Sequence, residues 1–251
     1  MLIIAFVLGL IQGITEFLPV SSSGHLVLLE KLFSLEFDLT LINVILHFAS
    51  LLAVIIYYRK TLLYLICHPF CKMNKFLVIA TLPAVCFVLL FHSIIDTYLS
   101  KKITLALGFL FSGIFLLSGI LISKKSTPKA LDYKNVLVMG LAQSLALFPG
   151  LSRSGTTLSF GLMCGVERST ALDFSFLMSI PIIIASVLFE LFSSKFSLSG
   201  IDIVSLTLSF LVAFLSALLC LKLMKKLTKK NNLIYFVPYL VLLSILTLIL
   251  I

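Results

Sequence analysis

Five or six long apolar runs decide what this chain can fold into. They cover roughly residues 40–58, 76–92, 103–122, 171–191, 203–222 and 233–251. A helix rises 1.5 Å per residue, so about twenty residues cross the ~30 Å hydrocarbon core of a bilayer. Of the 251 residues, 61% are hydrophobic and only 12% are charged, and mean hydropathy is +1.22. A soluble domain is nearer half apolar and a quarter charged, so the excess needs lipid as its solvent. The fold class expected is an all-α integral membrane protein. The 76–92 run is the shortest, and Pro83 is expected to bend it. The apolar start, Met1 to Leu10, lacks a basic leading segment and runs into a polar motif. It is therefore expected to be mature structure rather than a cleaved signal.

Net charge is +9. The basic residues gather in segments between the runs, at 59–75, 123–134 and 222–232. Membrane orientation by the positive-inside rule explains that placement, and nucleic-acid binding is not expected. The five cysteines are odd in number, and Cys67-His68-Pro69-Phe70-Cys71 lacks the second ligand pair of a zinc site. These residues read as core or interfacial.

Two further apolar stretches are interrupted: 2–33 at Pro19 to Gly24, and 135–165 at Pro149 to Gly155. Each reads as helix, Pro/Gly/Ser break, helix, with halves too short for full spans. Such backbone survives at membrane depth only where protein buries it or a wet cavity adjoins it. Two re-entrant hairpins are therefore expected, and each break points to a site. The breaks are also copies. Gly9–His25 aligns without gaps on Gly140–Thr156, with seven of 17 positions identical, among them Gln12/Gln143, Phe17/Phe148, Ser21/Ser152 and Gly24/Gly155. A weaker match pairs Leu46-His47-Phe48 with Leu172-Asp173-Phe174. The expectation is one membrane domain, 1–251, built as an internal duplication of about 1–122 and 123–251. Three spans separate the hairpins, so the repeats are expected to be inverted, with a site where they meet near the midplane. Charge supports this independently. If the first hairpin enters from outside, the inner segments hold fourteen Lys and Arg residues and the outer ones hold four, Lys31, Lys101, Lys102 and Lys195.

The first break carries Gln12, Glu16, Ser21, Ser22, Ser23 and His25. Gln12 and Glu16 are four apart and share a helix face. Glu16 is the only acid before Glu30, and a carboxylate at membrane depth costs about 2.5–3.5 kcal/mol on insertion scales. A helix-end acid near the interface is the plain reading. The chemical reading is favoured because serines, Gly24 and His25 follow within nine residues. The serines suit a helix N-terminus, which caps itself and also attracts anions. His25 suits a proton shuttle or nucleophile. His47, His68 and His92 lack such surroundings and read as structural.

The second break carries Ser152, Arg153, Ser154, Gly155 and Thr157. A guanidinium keeps its proton and presents a planar fork that matches phosphate oxygens. Arg153 therefore reads as a phosphate clamp, or as a structural partner of Glu16 or Asp173. The two roles are compatible. For Asp173 the safer expectation is a helix-start acid or a partner of Thr170. Together the breaks suit a diphosphate whose tail lies in lipid.

At this point the residues Gln12 to His25 resemble the first signature of the undecaprenyl-diphosphate phosphatase family, of the bacitracin-resistance type. Residues Pro149 to Thr157 resemble its second, and Phe174-Ser175-Phe176-Leu177 and Ile180-Pro181 extend the likeness. The resemblance implies hydrolysis of a polyprenyl diphosphate to the monophosphate, recycling the carrier for cell-wall synthesis and giving bacitracin resistance. It implies a divalent cation (Mg2+ or Ca2+), a homodimer, and a site open to the outer face of the bacterial cytoplasmic membrane. By position it implies Glu16 as the essential acid, and the candidate metal ligand. It implies Ser22 and His25 as candidate nucleophile and proton shuttle, and Arg153 as the phosphate-binding Arg. Gln12, Ser21, Ser23, Ser152, Ser154, Gly155 and Thr157 are expected to line the substrate. Gln12 departs from the Glu found in many members, which leaves Glu16 to supply most of the charge at a cation.

A transporter or flippase for a lipid phosphate is the rival expectation. Inverted repeats with broken helices are common there, but a carrier has no need of Ser22 with His25.

Overall fold

The structure is a computed structural model. It describes residues 2–33, 40–99, 101–193, 202–230 and 232–250. Lys195 and the side chain of His92 lie outside the described residues.

Eleven α-helices account for nearly all of the described chain: α1 (Leu2–Thr15), α2 (Ser22–Leu32), α3 (Thr40–Tyr57), α4 (Arg59–Cys67), α5 (Lys72–Leu99), α6 (Lys102–Ser123), α7 (Tyr133–Leu145), α8 (Arg153–Met163), α9 (Arg168–Ser193), α10 (Ile203–Lys229) and α11 (Phe236–Leu250). No strand occurs among the described residues, only an isolated bridge between Lys129 and Val166. Among the described residues, six helices are long and apolar enough to cross a membrane: α3, α5, α6, α9, α10, and α11 with the 3-10 turn before it. The protein is thus a multi-pass membrane protein. The span expected at 76–92 begins earlier, at Lys72, and Pro83 sits inside it without ending it.

The remaining arms are short. α1 has 14 residues, α7 has 13, and α2 and α8 have 11 each. At 1.5 Å per residue none exceeds ~21 Å, less than the ~30 Å apolar core. Each pair forms a helix–break–helix hairpin. The basic segment 59–75 folds as α4 and a turn, which Asn74 closes by donating to the carbonyls of Leu65, His68 and Pro69.

Part of the packing repeats. α1 lies on α10 as α7 lies on α5; α3 packs on α9, and α6 on α11. With α1/α7, α3/α9, α5/α10 and α6/α11 as counterparts, these four contacts map onto one another, whereas α6 also packs on α8 without a contact of like extent between α11 and α2. The close approaches match as well. A Cβ added to Gly9 would fall 2.6 Å from the Ser209 carbonyl oxygen, and one added to Gly140 would fall 2.7 Å from that of Ala80. Lipid tails are as apolar as leucine, so helices in a bilayer associate through such small-residue contacts rather than through exclusion of water.

At the start of α9 the structure corrects one expectation. Glu167, not Asp173, serves Thr170: its carboxylate accepts from the backbone N–H and hydroxyl groups of Ser169 and Thr170. Partial burial raises the Glu167 carboxyl, but these bonds outweigh it and bring the group down to about 2. Asp173 lies beyond the first turn of α9, past its unpaired N–H groups. It accepts instead from the Tyr58 hydroxyl at 2.6 Å and from Lys225 Nζ at 3.1 Å.

Candidate active site

The two breaks meet, and equivalent residues build them. Ser21 caps α2 by accepting from Gly24 N at 3.2 Å, and Ser152 caps α8 by accepting from Gly155 N at 3.1 Å. Both turns need unusual backbone. Ser21 has φ 69 and Gly150 has φ +80. A side chain on Gly150 would also meet the Leu105 carbonyl at 2.3 Å. Bonds cross between the breaks: Ser154 Oγ donates to the Leu18 carbonyl at 2.9 Å, and Ser152 Oγ reaches the same oxygen at 3.5 Å.

Glu16 sits at the junction, 6% exposed. One carboxylate oxygen pairs with Arg153 Nη2. The other accepts from Ser22 Oγ at 2.5 Å and from Gln12 Nε2 at 3.0 Å. Arg153 Nη1 also donates to the Ser179 carbonyl at 3.2 Å. In the repeat alignment Ser22 and Arg153 are equivalent positions. The two halves of the chain therefore place different chemistry, a hydroxyl and a guanidinium, on one carboxylate. An ion pair this buried is held by the partners around it, because removing either charge strands the other.

Glu16, Ser21, Ser22, Ser23, Ser152 and Arg153 line one cavity of about 210 Å3. A larger one, about 290 Å3, lies beside Glu167 and Arg168, and no residue of either break lines it. Other expected residues are placed differently. Gln12 is fully buried, and its Oε1 has no partner among the described residues. Ser154, Gly155 and Thr157 do not line the cavity. Ser154 ties the breaks together, Gly155 packs on Pro19, and Thr157 shares a hydrogen bond with Ser175 at 2.6 Å.

His25 also turns away from the cavity. Its Nδ1 donates to the Ser21 carbonyl at 2.6 Å, which leaves Nε2 to accept from the Tyr239 hydroxyl at 2.7 Å. Its ring lies between Phe109 and Tyr239. The imidazole that does line the cavity is His47. Nδ1 of His47 donates to the Asn43 carbonyl at 2.8 Å. The sequence signal for it was the weak repeat match that set His47 opposite Asp173.

A divalent cation fits this donor set only in part. Glu16 and the partnerless Gln12 oxygen are the hard oxygens that Mg2+ or Ca2+ take. Yet Glu16 is already bonded through both oxygens, and no group of three His, Cys, Asp or Glu residues occurs among the described residues. By themselves these residues do not complete a cation site.

The family described as Bacitracin resistance protein BacA matches residues 5–246, which include both breaks. "Undecaprenyl-diphosphatase 3" of Bacillus cereus is 42% identical over 189 residues, covering 74% of this chain and 72% of the relative. "Undecaprenyl-diphosphatase 1" of Shouchella clausii is 38% identical, covering 96% and 94%. "Undecaprenyl-diphosphatase" of Carboxydothermus hydrogenoformans is 34% identical, covering 98% and 96%.

Proposed function

The chain belongs to the BacA family of bacitracin resistance proteins, and from that premise we propose how its site works. The protein is an undecaprenyl-diphosphate phosphatase: it hydrolyses the lipid diphosphate to the monophosphate and phosphate. The observation that carries the mechanism is the buried carboxylate of Glu16, held between Ser22 and Arg153 at the cavity wall. The transporter alternative has no support from relatives named as phosphatases.

Arg153 is the receptor for the diphosphate. An arriving phosphate takes over the guanidinium, whose fork suits phosphate oxygens. Glu16 then loses its counter-ion and becomes a stronger acceptor for the proton it already shares with Ser22. Ser22 Oγ attacks the terminal phosphorus and its proton passes to Glu16. The phosphoanhydride bond breaks, with the electron pair leaving on the lipid monophosphate, and water later releases phosphate from Ser22. Arg153 and the capping serines Ser21 and Ser152 hold the transferring charge in place. Because His25 is engaged at both ring nitrogens, it acts as a positioning residue that fixes the Ser21 backbone. His47 is the imidazole that faces the reaction. Glu16 and phosphate oxygens would hold the divalent cation, which when bound neutralises phosphoryl charge.

The purified protein in detergent, where no transmembrane gradient exists, is expected to release phosphate from undecaprenyl diphosphate. Chelation is expected to stop that release, and added Mg2+ or Ca2+ to restore it. A protein that binds the lipid yet releases no phosphate would contradict the reading.

The same reading places the two hairpins as re-entrant elements and opens the site to the outer face of the cytoplasmic membrane. In support, if both hairpins are re-entrant and the first enters from outside, fourteen Lys and Arg residues fall on the inner side and four on the outer. With the five native cysteines replaced, a Ser23→Cys variant in intact cells is then labelled by a membrane-impermeant thiol reagent; protection there, with labelling only after lysis, would reverse the orientation. The likeness to the family also favours a homodimer, which the mass of the detergent-solubilised particle decides. The product re-enters carrier-lipid use for the cell wall, and consumption of the diphosphate that bacitracin sequesters confers resistance.

A further inference from the structure

The cavity of about 290 Å3 beside Glu167 and Arg168 lies toward the other end of α9 from the Glu16 cavity. Arg168 lines the first and Ile182 lines the second, with ~21 Å of helix between them. Its walls come from the end of α6, the α8–α9 turn and the end of α10, and carry Ser123, Ser126, Glu167, Arg168, Thr228 and Lys229. A short bridge fixes the turn: Lys129 N donates to the Gly165 carbonyl at 2.8 Å, and Glu167 N to the Lys129 carbonyl at 3.0 Å.

Most hydroxyls and carboxylate oxygens in this wall are satisfied. Glu167 accepts from Ser169 and Thr170 through both oxygens. Ser126 Oγ donates to the Ile122 carbonyl at 3.0 Å. Ser123 Oγ donates to the Ile120 carbonyl at 3.0 Å and accepts from Arg168 Nη2 at 3.1 Å. Thr228 is different. It is 1% exposed, yet its hydroxyl has no hydrogen-bond partner among the described residues. Thr81, Thr207 and Thr247 on the spans each donate to the carbonyl four residues back, the usual outlet for a helical threonine. A buried hydroxyl left unpaired destabilises the fold unless something else completes it.

We propose that this cavity is a second anion site, separate from the catalytic one, which takes a phosphate group through Arg168, Lys229 and the Thr228 hydroxyl. Arg168 and Lys229 outweigh Glu167, whose oxygens are turned onto the start of α9. A guanidinium and an ammonium both suit phosphate oxygens, and the Thr228 proton adds a neutral donor. The phosphate arrives either as the headgroup of an anionic phospholipid or as inorganic phosphate. Position favours the headgroup. The cavity sits where α6 and α10 end and α9 begins, and all three are long and apolar enough to cross the membrane. The basic segments 123–134 and 222–232 lie at the same end. Basic pockets between membrane helices hold anionic headgroups at that level. The site does not depend on hydrolysis at Glu16.

The test uses wild type, Arg168→Gln and Thr228→Val. Native mass spectrometry of the detergent-solubilised protein compares phosphatidylglycerol with phosphatidylcholine, and melting curves are taken with and without inorganic phosphate. Wild type is expected to keep one phosphatidylglycerol per chain under conditions that strip phosphatidylcholine. Both variants are expected to bind it about tenfold more weakly. Thr228→Val has a second signature. A methyl in place of the unpaired hydroxyl is expected to raise the melting temperature of the delipidated protein while it weakens phosphatidylglycerol binding. A threonine that merely packs would not give both effects. A phosphate-induced melting shift that both variants reduce, without selective retention of phosphatidylglycerol, supports the anion site and assigns it to inorganic phosphate. Equal retention of the two lipids with no variant-sensitive phosphate shift would overturn the proposal. So would phosphatidylglycerol binding that is unchanged in both folded variants. Phosphate release from undecaprenyl diphosphate is read separately, and its absence in wild type would bear on the hydrolytic reading alone.

Discussion

Arg153→Ala is expected to lower phosphate release from undecaprenyl diphosphate by about 10²–10³-fold, the usual loss when one preorganised donor to a developing charge is removed. The expectation follows from where the guanidinium stands. It lies at the start of α8, beside the Ser152 cap, where the helix N-terminus adds its own positive end. Its two donating nitrogens are committed to Glu16 and to the Ser179 carbonyl, so the group is held in place before substrate arrives. Arg153→Lys is expected to recover only part of the loss, because an ammonium is a point charge without the planar fork. Phosphate-release kinetics in proteoliposomes measure both. A near-normal rate for Arg153→Ala would remove the phosphate clamp from the account.

Glu16→Gln is expected to be at least as damaging, by about 10³-fold or more, because it removes both the counter-ion of Arg153 and the proton acceptor of Ser22. The isosteric amide keeps the packing but presents an N–H2 group where the carboxylate accepted from Arg153, Ser22 and Gln12. The stability of this variant reports on the structural half of that role. The catalytic half appears as a fall in kcat that persists in correctly folded protein. Normal turnover in a folded Glu16→Gln variant would show that the carboxylate only braces the breaks.

Much of this site could be read from the sequence, and the limits have physical causes. The spans were legible because each carries its own apolar run. The breaks were legible because local rules fix them: serine caps, glycine turns and a shared pattern seen twice, so that Ser21/Ser152 and Gly24/Gly155 cap alike in the structure. Glu16 and Arg153 stood out because charge at membrane depth needs a reason. What did not show was pairing across long separations. His25 looked like a proton shuttle from its neighbours, but Tyr239, 214 residues away, occupies its second ring nitrogen. His47 looked structural because its helix carries no motif; only packing of α3 against α9 brings it to the cavity. Ser154 and Thr157 sit in the motif with their hydroxyls turned inward, because the faces of an eleven-residue helix cannot all meet one small cavity. Asp173 was set beside Thr170 by proximity in sequence, whereas Lys225 and Tyr58 reach it from α10 and the end of α3.

The two halves of the chain build one site around Glu16, and a double variant is the sharpest check of that arrangement. Phosphate release is measured for Glu16→Gln, Arg153→Ala and the two combined. If carboxylate and guanidinium act as a unit, their losses overlap, and the double variant is about as slow as the slower single one. Losses that multiply, leaving the double variant slower than either by the full product, would mean that the two repeats contribute independently and that the shared carboxylate is not the centre of the reaction.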